Sequence, residues 1–428
     1  MYESLTATFE RIKRIFGIFL EPSLSNLRKI QNKEIDFGNK TSVISEAFSS
    51  HLQSYNDNWD KINKMLENIL SEHFRKEILD SFGGGWIYNW FCLDHVGYEY
   101  NPRKRDMGYH NIYDYYQEAL QRYLSSQDEV HWHFHPMPIY KEAHKNATSY
   151  VNSPHLYQVL CRKIIERQTF PAAVRAGFQA ERPDSHLFFE QWIPFDFTNW
   201  AFHSADHLLQ SHLDIRNGRS GDWRLAPDDW SVYQPSIDSW QIPGNCKRWI
   251  ARCIDINMRG RELTQEEVEK AFHRAHTGKP TLLAFNNHDF RDMCPEINSV
   301  REKIKIASQK FPDVQFKFSG AVNAFKNVVY GPEFSGEKLE LNTTLENVSN
   351  ELILKVETKK GKVFGPQPFL SVKTKSGRFI HDNFNFDPSL TRWYYIFDEN
   401  AIHSNDIDTI GVASNDSYGN TFVKTITL

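Results

Sequence analysis

Four short apolar runs in this chain end in residues that can hold protons or metal ions. Trp90-Phe91-Cys92-Leu93 runs into Asp94-His95, Val130 into His131-Trp132-His133-Phe134-His135-Pro136, Val174 into Arg175-Ala176-Gly177-Phe178, and Leu282-Leu283-Ala284-Phe285 into Asn286-Asn287-His288-Asp289. A carboxylate, several imidazoles and a guanidinium brought together from separate strands have the composition of a hydrolytic metal site. The histidine spacing limits which pairs could chelate. On an extended strand His131, His133 and His135 share one face, with the outer two about 13 Å apart at roughly 3.3 Å per residue. Either neighbours two apart hold the ion, or the chain curls after His131 so that His131 and His135 meet as they would one helical turn apart, a change that Pro136 would help to enforce.

The elements that must position these residues are legible as strand-then-helix alternation from Trp86 onward. Strands are expected over 86–93, 130–134, 172–178, 249–256, 281–286 and 315–318, with helices over 113–124, 156–167, 264–276 and 295–310. That order predicts a parallel α/β architecture, barrel or open sheet, whose ligand site lies beyond the carboxyl ends of the strands. Upstream, Phe48, Leu52, Tyr55, Trp59, Ile62, Leu66 and Ile69 fall at steps of four and three, which predicts one long helix over about 44–80. Its apolar seam must be buried, either on the barrel or against its copy in a homodimer, and the aromatic positions favour docking on the barrel. Beyond Gly331, period-two runs at 339–341, 352–357, 369–373, 393–397, 410–413 and 421–426 read as a β-sandwich. The expected organisation is therefore an N-terminal helical segment (1–80), a (β/α) barrel (81–330) and a C-terminal β-sandwich (331–428).

Composition narrows the function classes. With 50 Lys and Arg against 54 Asp and Glu, the net charge of −4 argues against a nucleic-acid partner. The five cysteines include no close Cys-x-x-Cys pair, so neither a disulfide framework nor a thiolate zinc site is signalled, and a reducing compartment fits. The early run Ile15 to Leu20 is far shorter than the ~18 residues of a membrane span. The basic, amphipathic stretch Arg11 to Leu20 reads as a packed helix, and with no export signal a cytoplasmic location is expected. Gly83-Gly84-Gly85 has neither a following Lys-Ser/Thr nor a G-x-G-x-x-G spacing, which argues against a phosphate loop. Aromatic residues make up 14% of the chain, enough to serve both heavy core packing and flat apolar ligands such as the C–H faces of sugars.

Taken in order, the motifs resemble those of the polysaccharide deacetylases related to the rhizobial chitooligosaccharide deacetylase. Asp94-His95 stands where that family has an Asp pair, His131 to His135 where it has H-[ST]-x-x-H, and Arg175-Ala176-Gly177 where it has R-x-P or R-x-G. Gly221-Asp222-Trp223-Arg224-Leu225-Ala226-Pro227 is similar to its Asp/Trp segment, Phe285-Asn286-Asn287-His288 to its late L-x-H, and 193–199 to a strand ending at an Asp. The resemblance spans about 86–328. It departs from the pattern at His95, at Trp132 in place of Ser or Thr, and at Asn-Asn-His-Asp in place of L-x-H. It implies a distorted (β/α) barrel of the deacetylase type and a divalent metal, zinc, on His131 and His135, with His95 or Asp94 completing the ligands. By the same resemblance Asp94 accepts the proton of water, Arg175 orients Asp94, and His288 protonates the leaving group. His133, Trp132, Asp222 and Trp223 would contact substrate. The implied substrate is an N- or O-acetylated sugar, glycan precursor or nucleotide sugar of surface-glycan assembly. Two other readings are a deacetylase-like carbohydrate-binding or assembly protein that has lost activity, and a metal amidohydrolase acting on a non-sugar amide. His203, His207 and His212 fall in an insertion near the site.

Overall fold

The computed structural model describes residues 4–94, 96–98, 108–137, 141, 149–202, 221–256, 262–349 and 351–428. Its centre is a sheet of β1 (Asn89–Leu93), β2 (Glu129–Phe134), β3 (Ala173–Ala176), β4 (Phe195–Asn199), β7 (Trp249–Asp255) and β8 (Ala284–Asn286), paired in that order and parallel throughout. A small antiparallel ribbon, β5 (Pro235–Ser236) and β6 (Ser239–Pro243), precedes β7. The parallel sheet is strongly curled. Phe91 on β1 meets Phe197 on β4 edge to face at 5.9 Å, although three strand spacings in a flat sheet would put them roughly 14 Å apart. The two edges do not pair, and the result is a half-barrel. Trp86, just ahead of β1, packs on Phe285 of β8 at 5.7 Å and on Phe318 at 5.1 Å.

The segment expected as a strand over 315–318 runs along this seam without joining a ladder. Its amides go to side chains instead, Phe316 N–H to Ser81 Oγ at 3.0 Å and Phe318 N–H to Asp80 Oδ2 at 3.1 Å.

Around the sheet lie α7 (Asn111–Arg122), α8 (Leu156–Arg167), α9 (Pro183–Trp192), α10 (Gln265–His276), α11 (Met293–Lys310) and α12 (Ala321–Tyr330). Helix α12 closes the amino-terminal end of the half-barrel. Its Phe325 stacks on Phe195 at 4.7 Å and meets Phe197 at 4.9 Å, in a cluster with Ala173, Ala251 and Cys253. The inner face is therefore filled at that end. Among the described residues, no helix is long and apolar enough to cross a membrane.

The long helix expected over 44–80 is broken. It becomes α3 (Thr41–Ala47), α4 (Ser50–Gln53), α5 (Trp59–Ile69) and α6 (Glu72–Arg75), following α1 (Leu5–Phe16) and α2 (Leu24–Gln31). The cause is local: Asn58 accepts from Lys61 N–H at 3.0 Å and starts a new helix, and Ser71 does the same for Phe74 N–H at 3.2 Å. The seam is accordingly divided between two cores. Phe48 joins Phe9, Ile12, Leu27 and Ile30 in the N-terminal bundle, while Ile62, Met65, Leu66 and Ile69 join the core of the half-barrel. Docking on the barrel is thus the use made of the α5 face.

The C-terminal strands form two antiparallel sheets, β13 (Asn385–Phe386), β14 (Arg392–Phe397), β10 (Glu351–Lys360) and β9 (Glu340–Val348), facing β12 (Phe379–Asp382), β11 (Phe369–Thr374), β15 (Ile407–Asn415) and β16 (Thr421–Thr427). Leu354, Val356 and Trp393 from one sheet and Leu370, Val372, Ile410 and Val412 from the other fill the space between them. Strand β11 is also buried on its other face, where Phe369 and Ser371 meet the half-barrel. Ser371 Oγ donates to Cys161 O at 3.3 Å, and Asn415 Nδ2 donates to Pro171 O and Trp192 O at 2.8 and 2.9 Å. His381 stacks on Phe369 and Tyr157 at 4.0 and 4.6 Å, and burial pulls its pKa down to about 4. It is an uncharged member of an aromatic joint. Deleting 332–428 should therefore expose Phe170, Trp192 and Tyr157 and leave 1–331 aggregated, while the full chain unfolds in one calorimetric transition. A soluble 1–331 fragment that unfolds at the temperature of the full chain would contradict this packing.

Candidate functional site

Strand alternation sorts the sequence candidates onto two faces. Register pairs Phe91 with His131, Leu93 with His133 and His133 with Arg175, so the three histidines follow the inner face that carries Phe91. Trp132 falls on the outer face, fully buried with Phe134, Phe188 and Phe189. It is a core residue there, away from any substrate at the mouth.

The histidines divide by depth. His131 lies low in the half-barrel, with Nε2 3.0 Å from Glu129 Oε2 and 3.4 Å from Asn89 Oδ1. Those two acceptors also take the first amides of α12, Val322 N–H at 3.3 Å and Ala321 N–H at 2.7 Å. His131 therefore belongs to the clamp on α12, and the curled pairing of His131 with His135 does not form because β2 stays extended to Phe134. The alternative pairing, two residues apart, is present. His135 Nε2 and His133 Nε2 face each other at 2.9 Å, and His133 Nδ1 is 2.5 Å from Arg175 O. A carbonyl only accepts, so His133 carries its proton on Nδ1 and turns the Nε2 lone pair toward His135. Gly177 makes room for this: a Cβ there would sit 2.5 Å from His135 Cδ2 and 2.6 Å from Phe134 O.

Arg175, next along the mouth, is fixed on two sides. Its Nη2 donates to Asn286 Oδ1 at 2.9 Å, and the Gln179 amide oxygen accepts from Nη1 and Nη2 at 3.2 and 2.5 Å. Asn286 in turn donates to Asp255 Oδ1 at 2.7 Å, and Asp255 Oδ2 lies 4.0 Å from Arg175 Nη2. Gln179 reaches Arg175 because Phe178 and Gln179 both take left-handed backbone, φ 54° and 51°, a conformation that costs non-glycine residues about 1–3 kcal/mol each and clusters at functional sites. The same turn presents Gln179 O to Trp223 Nε1 at 2.8 Å. Trp223 is only 2% exposed, so it is part of the wall behind the turn, and Asp222 is engaged by Arg224 at 2.7 Å.

Asp94 does not join this group. It is 3% exposed and bonded to His110, whose backbone N–H lies at 2.6 Å and Nδ1 at 2.9 Å, with Lys163 Nζ at 3.4 Å. Burial alone would raise its pKa, but Lys163 and His110 together hold it at about 2. The carboxylate beside Arg175 is Asp255, where Asp94 was expected. His288 lies in the loop after β8, 5.0 Å from the Phe290 ring. That loop is held from the helix break: Asn56 Nδ2 donates to Asp289 O and Arg291 O at 3.1 and 3.0 Å, and Tyr116 OH donates to Asp289 Oδ2 at 2.7 Å. His95, His203, His207 and His212 lie outside the described residues. Among the described residues, no group of three or more His, Cys, Asp or Glu stands ready to hold a metal ion.

Sequence reasoning missed Asp255, although it ends the apolar run from Trp249 and an inspection of that strand end would have found it. It also missed a buried charge cluster. Arg248 Nη2 donates to Glu181 Oε2 at 2.9 Å and to His186 Nδ1 at 3.0 Å, with Arg248 Nε 3.6 Å from Asp196 Oδ2, and Glu181 also hydrogen-bonds to Asp196. His186 Nε2–H donates to Ser236 O at 2.9 Å, and burial, then Arg248, pulls the ring's pKa down to about 4. Burial, partly offset by Arg248, pushes Glu181 well above the usual carboxylate range, and the neighbouring Asp196 carboxylate adds to the rise. Comparison with protein-family models finds none that matches this chain, and none of the curated proteins matches it either.

A raised folded-state pKa gives stability that is fully present below the unfolded value of 4.5 and lost as pH rises through the folded-state value. Glu181→Gln, which mimics the protonated acid, should flatten this part of the decline when thermal unfolding is followed as pH rises from the unfolded value of 4.5. A variant whose stability falls with pH as steeply as wild type would show that Glu181 is ionised in the fold.

Proposed function

We propose that this half-barrel is a metal-dependent hydrolase that removes an N- or O-acetyl group from a sugar or glycan precursor. The observation that carries the reading is the His133–His135 pair, two imidazole nitrogens facing each other while the far nitrogen of His133 is anchored on a carbonyl. A carbonyl or carboxylate on the second ring nitrogen is the usual way a ligating histidine is oriented. Two nitrogens on one tetrahedral zinc, at about 2.0–2.1 Å each, stand roughly 3.3 Å apart, so a pair at 2.9 Å needs to open by only a few tenths of an ångström. The residues present therefore fit part of a zinc site, and His95, directly after Asp94 in sequence, is the proposed further ligand. Zinc bound there would supply a polarised carbonyl and a water of lowered pKa.

Around that pair the chain supplies the rest. Arg175 brings positive charge to the mouth, and His288, as an imidazole, is the proposed donor of a proton to the leaving nitrogen or oxygen. The ordered motifs over 86–328 support a sugar deacetylase over other amidohydrolases. One observation favours the alternative of a carbohydrate-binding protein without activity: Asp94, the expected proton acceptor, is committed to His110 and Lys163. Acetate release by the zinc-loaded protein separates the two.

Isothermal titration with Zn²⁺ should show binding that is lost in His133→Ala and in His135→Ala and kept in His131→Ala, which should lose thermal stability instead. Zinc binding that survives both of the first two substitutions, or fails only in the third, would place the ion elsewhere.

A further inference from the structure

Hydrolysis of an acetyl amide or ester needs a group that takes a proton from the attacking water, and Asp94 faces the wrong side of the sheet to do so. At the carboxyl end of the inner face stands another carboxylate. Asp255 ends β7, two residues on from Cys253, which lies in the inner cluster with Ala173 and Phe197. The residue is 5% exposed, and its two oxygens are treated differently. Oδ1 accepts from Asn286 Nδ2 at 2.7 Å, while Oδ2 is buried and, among the described residues, has no hydrogen-bond partner and a 4.0 Å ion-pair approach from Arg175. A buried acceptor left without a partner is costly, more so when charged, so a proton donor is its natural complement.

We propose that Asp255 is the catalytic proton acceptor of this site, an assignment that rests on the hydrolase reading. Asp255 Oδ2 takes a proton from water as the water oxygen bonds to the acetyl carbon, and the carbonyl π pair moves onto the carbonyl oxygen. When that pair returns, the bond to the sugar nitrogen or oxygen breaks, and the leaving atom takes a proton from His288. The proton on Asp255 then passes to solvent and His288 regains one, so one water has been added across the bond to give acetate and the free amine or alcohol. Asn286 fixes the rotamer of Asp255, and Gln179 fixes Arg175 beside it. The left-handed turn at Phe178 and Gln179 thereby acquires a use.

The test uses the full-length protein with two readouts, Zn²⁺ affinity by isothermal titration and acetate release from N-acetylated chitopentaose and 4-nitrophenyl acetate. Asp255→Asn should keep Zn²⁺ affinity within about threefold and lose about 10²–10⁴-fold in acetate release, the usual worth of a positioned acid–base group. Asn286→Ala, which frees Oδ1, should keep Zn²⁺ and lose about tenfold or more, and it decides the matter if Asp255→Asn does not fold. Asp94→Asn should lower thermal stability while leaving release within about threefold of wild type. Unchanged release from folded Asp255→Asn, or from Asn286→Ala, overturns the assignment. So does loss of release in Asp94→Asn with its stability intact. Zinc-loaded wild type that releases no acetate from either probe overturns the hydrolase reading itself.

Discussion

The hydrogen bond from His133 Nδ1 to the carbonyl of Arg175 joins the two halves of the site. It couples neighbouring strands at the register His133 to Arg175. On one side it sets the tautomer of His133 and so aims the Nε2 lone pair at His135. On the other it pins the backbone of the residue whose guanidinium reaches across the mouth to Asn286 and Asp255. If that carbonyl moved, the imidazole pair and the Arg175–Asn286–Asp255 contacts would lose their common reference. The surrounding features serve it: Gly177 admits the His135 ring, the left-handed turn returns Gln179 to Arg175, and α12 closes the opposite end.

The two aspartates show how a single step of strand alternation decides a residue's role. Asp94 leaves β1 toward α7 and α8, where a buried lysine and a buried histidine neutralise it, and its work there is to tie the helical layer to the sheet. Asp255 leaves β7 on the inner face, where its partners occupy one oxygen and leave the other open. Both carboxylates are buried, but Asp94 faces a lysine and a histidine of the helical layer while Asp255 stands beside a guanidinium on the inner face.

Much of the architecture was legible in the sequence because its signals are local. The helix 156–167 is found as Leu156–Arg167, and each of the six period-two runs beyond Gly331 lies in or against a strand of the sandwich. What was not legible depended on partners far along the chain. The four-and-three seam from Phe48 to Ile69 is continuous in periodicity and hides the local cap at Asn58, while Asn56 is drawn off to the 289–291 loop, a contact no local pattern carries. The run 315–318 has strand texture, but the seam of the half-barrel offers it side chains instead of a ladder. At the site, residue types identified His133, His135, Arg175 and His288 as candidates, while face and depth, which moved His131 to the α12 clamp and Asp94 to the helical layer, follow only from register and curl. The sandwich was legible as a sandwich, but its second buried face was not, because the residues covering it come from α8 and α9.

The central claim is that His133 is held as the Nδ1–H tautomer with Nε2 turned to His135. Long-range ¹H–¹⁵N NMR of the imidazole rings in metal-free protein tests it directly, with assignment by His133→Gln. The account predicts a protonated Nδ1 and a bare Nε2 for His133, and a shift of the Nε2 signals of both His133 and His135 on addition of Zn²⁺. A His133 ring protonated at Nε2, with neither signal responding to zinc, would contradict it.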